Sequence, residues 1–274
     1  MYHLHQLLAE DGGRTRLDYA ALELAAIQFP GLDAKPSLDR LNELASQLGD
    51  RLRNFNDGRD FVEKAERYLF GDLGFHGNEE DFFDPLNSCL NQVLERRTGI
   101  PISLAVMYME IARRLHMPVF GIGLPRHFVL EFNDGNYATY IDPFHGGRVI
   151  SARECFALAG ATVADPALLR RVTHKQIVMR MLQNLDHAYA RQRDFRRAVA
   201  ILDLLIEGAP EIGPWYRRRA VFSLEIGRPK DARRDLARYL ELEPEAADRE
   251  EIRRQLEKLD RVRLDRRNGN SWVN

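Results

Sequence analysis

The apolar pattern of this chain is helical almost throughout, and the stretch from His127 to Asp142 is where its period changes. Two alternating segments, 127–132 and 137–142, flank Asn133-Asp-Gly-Asn136. Asp-Gly favours a two-residue hairpin turn because both positions tolerate positive φ. Centring the turn on Asp134-Gly135 pairs Asn133 with Asn136. It sets His127 opposite Asp142, Val129 opposite Tyr140 and Glu131 opposite Ala138. Phe128, Leu130, Phe132, Tyr137, Thr139 and Ile141 then share the other, mostly apolar face, since strand side chains alternate. The polar pair is expected on the face that is not obviously core. A histidine oriented by a carboxylate is the base half of a nucleophilic triad, so the next requirement is a nucleophile.

Helical segments precede the hairpin. One runs from Leu17 to Phe29, and a second follows Ser37, which can cap it. A third starts near Arg59, and a loop rich in Gly, Asp and Asn spans Gly71–Asp84. A helix over Leu86–Arg97 comes next. Pro101 then suits the first position of a helix reaching Leu115 that is apolar nearly all round and therefore expected at the centre of the core. Ser103 stands in its first turn. Strands are expected at Val119–Leu124 and near Arg148–Ile150, and Ser151-Ala-Arg-Glu154 forms a capping box for one more helix.

From about residue 174 the pattern is helical to the end and repeats. Ala198, Leu202, Leu205 and Pro210 recur 34 residues later as Ala232, Leu236, Tyr239 and Pro244, with Gly227 before the second helix of the second unit. That period and order resemble the tetratricopeptide repeat. Two units are few for a free-standing array, so the amphipathic stretch Arg249–Leu259 is expected to close them.

Charge and cysteine usage narrow the function classes. Residues 166–274 carry a balance of +7 and residues 1–165 a balance of −8, within a chain of net charge −1. The basic residues alternate with acids rather than cluster, which argues against nucleic-acid binding. No apolar run reaches membrane-span length, and the opening Met-Tyr-His-Leu-His-Gln lacks a secretion-signal pattern, so a cytoplasmic protein is expected. Cys89 and Cys155 have no metal-ligand spacing and read as free thiols. His76, His127, Asp142 and His145 could be gathered into a metal site on paper, but no helical or ribbon spacing supports it, so neither metal nor cofactor is expected.

The order Ser103…His127…Asp142 resembles the Cys…His…Asp order of transglutaminase-like and other papain-like folds, with serine at the cysteine position. The match tightens over Tyr68-Leu-Phe70, Leu73-Gly-Phe-His-Gly-Asn78, Asp84-Pro-Leu-Asn-Ser88, Leu90 through Leu104, Gly123-Leu-Pro-Arg-His-Phe128 and Ile141-Asp-Pro-Phe-His-Gly-Gly147. Together these resemble the bacterial SirB family, which joins a transglutaminase-like core to tetratricopeptide repeats. A related core also occurs in some F-box proteins. The resemblance implies an α+β fold: a helical N-terminal part and a transglutaminase-like core with a small antiparallel sheet over 1–160, then an all-α repeat region over 174–274.

Ser103, His127 and Asp142 are the candidate triad. A helix N-terminus helps ionise a thiol but cannot ionise a serine hydroxyl, which needs concerted proton removal by a well-placed histidine. The leading expectation is therefore a degenerate, non-catalytic transglutaminase-like protein that binds a protein partner through its repeats. The alternative is a serine-dependent hydrolase or acyltransferase on an amide or ester, with Ser103 attacking, His127 as base and Asp142 orienting it. Cys89 is a second candidate nucleophile, and Asn87, Asn91 and Gln92 are candidate oxyanion donors, each more simply read as core, cap or surface groups.

Overall fold

The computed structural model describes residues 1–9, 16–53 and 57–269, with side chains to residue 261. It divides into two compact units, Met1–Ala188 and Tyr189–Asn274. The division falls inside a helix, after Ala188, rather than at the change of pattern near 174.

In the first unit α1 (Tyr2–Ala9), α2 (Leu17–Ala25), α3 (Lys35–Arg51) and α4 (Gly58–Glu66) come first. Ser37 lies within the first turn of α3 rather than capping it, because Pro36 already occupies that turn and Asp33 accepts the Lys35 N–H at 2.9 Å. α4 runs into a π-helical turn, Arg67–Asp72. The Gly-rich loop is pinned by a short parallel pair, β1 (His76–Gly77) with β2 (Thr98–Gly99). The helix expected from Leu86 is broken: a 3₁₀ turn over Pro85–Ser88 precedes α5 (Leu90–Arg96).

α6 (Pro101–Arg114) is the central helix, packed by α2, α3, α5 and the sheet. Its run of buried residues includes one charge, Glu110, which accepts from Arg113 and Arg114 at 2.7 and 2.8 Å. Arg114 also reaches the fully buried Asp18 at 2.6 Å, as does Arg16. Burial would raise the Asp18 carboxyl, but hydrogen bonds from Arg16 and Arg114 hold it below the usual carboxylate range.

The sheet is antiparallel in the order β3 (Val119–Leu124), β4 (His127–Asn133), β5 (Ala138–Asp142), β6 (Arg148–Ile150). Its hairpin register differs from the sequence expectation by two residues. Asn133 pairs with Ala138 and Leu130 with Ile141, leaving a loop of residues 134–137. The cause is local. The Asp134 carboxylate accepts both the Asn136 and Tyr137 amides, at 2.8 and 2.7 Å, which closes the turn later than a bare Asp-Gly turn would. Because side chains alternate with a period of two, this shift leaves every residue on its expected face.

Both faces are covered, which was not anticipated. Phe132 packs at a tilt against Phe61, which in turn meets Tyr108 of α6 edge-on. On the other face Ile122, Leu124, Val129 and Ile150 bury against Cys155 of α7 (Ala152–Leu158), whose capping box of Ser151 and Glu154 is formed as expected. Burial pushes the Cys155 thiol up to about 12. α8 (His174–Arg191) completes this unit with its residues to Ala188.

The second unit holds the end of α8, then α9 (Phe195–Gly208), α10 (Gly213–Glu225), α11 (Pro229–Leu242) and α12 (Arg249–Gly269). The repeat positions Ala198, Leu202, Leu205, Ala232, Leu236 and Tyr239 are all buried. Ile252 of α12 is buried against this core, with Leu256 and Leu259 beside it. Several of the interleaved charges are paired: Arg219 with Asp203 and Asp235, Arg233 with Asp260, Arg217 with Asp248.

The repeat extends to the backbone. α8 ends with Arg193 N–H bonded to Ala190 O and Asp194 N–H to Tyr189 O. α10 ends with Gly227 N–H bonded to Leu224 O and Arg228 N–H to Ser223 O. Each is a Schellman closure with its next residue left-handed, at φ 59° for Arg193 and 74° for Gly227. A side chain in that conformation costs roughly 1 kcal/mol that glycine avoids. Arg193→Gly is accordingly expected to stabilise the protein by about 0.5–1 kcal/mol, measured as a raised urea midpoint at unchanged slope.

Candidate functional site

The site forms where the hairpin base meets the turn that follows it. His127 opens β4 directly after the Pro125-Arg126 turn, where Arg126 is left-handed at φ 61°. Asp142 ends β5. Continuing the observed register places Val129 across from Asp142, so His127 lies one step diagonally along the same face rather than directly opposite. The two still meet, with His127 Nε2 3.0 Å from Asp142 Oδ1. His127 is 8% exposed and Asp142 fully buried.

Asp142 binds more than one imidazole. His145 Nδ1 lies 2.7 Å from its other oxygen, Oδ2, and the Phe144 and His145 backbone amides donate to Oδ1 at 3.2 and 3.4 Å. Burial raises this carboxyl, but the bond and charge of His127, then those of His145, outweigh it and hold Asp142 at about 2. An ionised carboxylate only accepts, so His127 Nε2 and His145 Nδ1 each carry a proton.

Two close approaches fix this turn. The Phe144 ring lies where a Cβ on Gly77 would sit, 2.4 Å away, and Gly77 N–H donates to Phe144 O at 3.1 Å. The Phe70 ring, on the π-turn, likewise occupies the space a Cβ on Gly147 would need, and Gly147 N–H donates to Asp142 O. Phe144 stands edge-on to both imidazoles, with centroids 6.1 Å from His127 and 5.1 Å from His145. Phe82, partly exposed, packs on Phe144 in turn, so the 71–84 loop forms one wall of the site.

Ser103 is placed otherwise. It is 1% exposed at the start of α6, beneath Gly99, where a Cβ would lie 2.7 Å from Oγ. Its hydroxyl accepts the Ile100 N–H at 3.1 Å and lies 2.6 Å from the Asn87 carbonyl and 3.1 Å from that of Ile100. All of these partners are backbone groups, and no hydrogen bond joins Ser103 to His127. Asn87 is engaged too, through Asn78 and the Asp81 carbonyl. Cys89 is buried with Sγ donating to Pro85 O, and Gln92 binds Glu95 at the surface. Asn91 Oδ1 is buried without a hydrogen-bond partner. His76 bonds Gly74 O and Thr98 outside the cluster.

The sequence reading had set His145 aside. Its signal was Asp142-Pro-Phe-His145: an aspartate that turns the chain on its own backbone amides brings the third following residue back onto the carboxylate.

A carboxylate held low in the folded state stabilises the protein above its unfolded pKa, and that contribution is lost as pH falls through the folded value. For Asp142 the window runs from about pH 4 down to about 2, and the contribution is on the order of 2 kcal/mol. Urea unfolding of Asp142→Asn is expected to show lower stability at pH 7 and a flatter profile across that window than the unaltered chain.

Comparison with known proteins agrees with this architecture. Residues 35–183 match the transglutaminase-like superfamily and residues 185–257 the tetratricopeptide repeat. The UPF0162 protein of Xylella fastidiosa (strain 9a5c) is 34% identical over 252 residues, covering 89% of this chain and 90% of that one. Human F-box only protein 21 is 38% identical over 125 residues, 43% of this chain but 20% of its own length. Among solved structures the likeness to menin has a TM-score of 0.43 at 12% identity, covering 92% of this chain and 72% of that one. The chain belongs to the UPF0162 protein family, within the transglutaminase-like superfamily.

Proposed function

We propose that this protein is a non-catalytic member of its superfamily, acting as a scaffold that binds a protein partner through its tetratricopeptide repeats, in the cytoplasm of a bacterial cell. The observation that carries the reading is the Ser103 hydroxyl, whose Oγ lies 2.6 Å from the Asn87 backbone carbonyl and donates to it instead of to an imidazole. A serine becomes nucleophilic only when a base removes its proton in the attack. Here the hydroxyl serves the fold, joining the 3₁₀ turn at Asn87 to the first turn of α6. The SirB-like motifs support the same reading, since they pair this core with repeats. Repeat arrays of this kind generally present surfaces to other proteins.

One observation favours the alternative of a serine hydrolase or acyltransferase: His127 and Asp142 are within hydrogen-bond distance, 3.0 Å, as a base and its orienter would be. Under that reading Ser103 would turn away from Asn87 when substrate binds.

Two experiments separate them. Affinity capture with the intact chain is expected to retain partners that are lost when residues 189–274 are removed; retention of every partner by the folded truncation would count against a role for the repeats. A serine-reactive phosphonate is expected to leave Ser103 unlabelled, and Ser103→Ala to cost about 1–2 kcal/mol of stability through its lost backbone bonds. Labelling that disappears in both Ser103→Ala and His127→Ala would establish the hydrolase instead.

A further inference from the structure

The folded chain gathers three of the four residues that the sequence offered only on paper as metal ligands. One ring nitrogen each of His127 and His145 and a carboxylate oxygen of Asp142 lie within 4.8 Å of one another. Among the described residues this is the group of histidines and acids whose donor atoms converge in this way. We propose that these three side chains form a binding site for one divalent transition ion, zinc being the natural occupant.

The donor set is the first argument. Two imidazole nitrogens and one carboxylate oxygen form a borderline set that suits zinc, and three protein ligands with one position left to water is a recurrent zinc arrangement. Calcium and magnesium prefer all-oxygen sites.

Geometry is the second. Zinc holds nitrogen and oxygen ligands at about 2.0–2.2 Å, so tetrahedral neighbours stand roughly 3.3–3.5 Å apart. His127 Nε2 lies 3.0 Å from Asp142 Oδ1 and His145 Nδ1 2.7 Å from Oδ2, so each imidazole already meets the carboxylate, on its own oxygen, and the three donors stand within 4.8 Å.

Support for the ligands is the third. Asp142 is held by the Phe144 and His145 amides, which remain available as outer partners once a cation replaces the imidazole protons. The turn itself is braced by Phe70 against Gly147 and by Phe144 against Gly77. The His145 side chain is 39% exposed, which gives an ion a route in and leaves a coordination position facing water.

Protons balance simply. Each neutral imidazole moves its hydrogen to its other ring nitrogen through solvent and presents the freed lone pair to the cation. The ion would clasp the start of β4 to the turn after β5, and because it occupies His127 the proposal goes with the non-catalytic reading.

The test uses the full-length chain stripped with chelator. Cobalt(II) is titrated with visible absorption and zinc by calorimetry, on the unaltered chain, His145→Ala, His127→Ala and His76→Ala. Expected are one equivalent bound, a cobalt spectrum of low-coordinate nitrogen and oxygen ligation, and a rise in melting temperature with zinc. His145→Ala and His127→Ala are each expected to weaken binding at least tenfold, and His76→Ala to leave it unchanged. Because His145 is partly exposed, its variant should fold, as circular dichroism would verify, and it decides the matter even if His127→Ala does not fold. Absence of saturable binding, or equal affinity in His145→Ala and the unaltered chain, overturns the proposal.

Discussion

A single fully buried carboxylate organises the turn at the end of β5 in the first unit. Asp142 takes a charge out of water, which is tolerable only because every side of it is answered: two imidazoles and two backbone amides converge on its two oxygens. Those partners belong to different parts of the chain. His127 comes from the neighbouring strand, and the amides and His145 from the turn that Asp142 itself begins. The need to satisfy one anion therefore fixes where β5 stops and how tightly the following turn closes. It also determines which faces His127 and His145 present. The aromatic rings of Phe70 and Phe144, seated on glycines, hold that turn against the π-helical segment and β1.

The same hydrogen-bonding logic separates Ser103 from this cluster. At the head of a buried helix the first amides and the preceding carbonyls must find partners, and a serine in the first turn supplies them. Asn87 and Ile100 claim the hydroxyl for that purpose. The buried helix α6 is present, and the serine in its first turn takes part in holding the chain together.

Much of this was legible in the sequence, and the failures have physical causes. The period of two along 127–142 fixed the faces of the hairpin, so His127 and Asp142 were correctly placed together although the register was off by two residues. What the pattern could not weigh was the Asp134 side chain, whose capture of two amides relocates the turn. The continuous helix expected from Leu86 missed the 3₁₀ turn because Pro85 and Asp84 favour a tight entry that apolar periodicity does not register. Glu110 was hidden within an apolar helix because its partners, Arg113 and Arg114, follow it in sequence and reach back over it. His145 was undervalued because its proximity to Asp142 is made by a turn, where neither helical nor strand spacing applies.

The left-handed residue that closes α8 and α10 has a consequence for how such arrays change over time. The position demands a backbone conformation, not a particular side chain, and the two copies meet it with arginine and with glycine. A repeat can therefore drift away from its glycine while its geometry persists, until only the spacing of buried small and large residues marks it. Copies of the motif that have lost their punctuation in this way are invisible to any search keyed to glycine, yet they remain full structural members of the array.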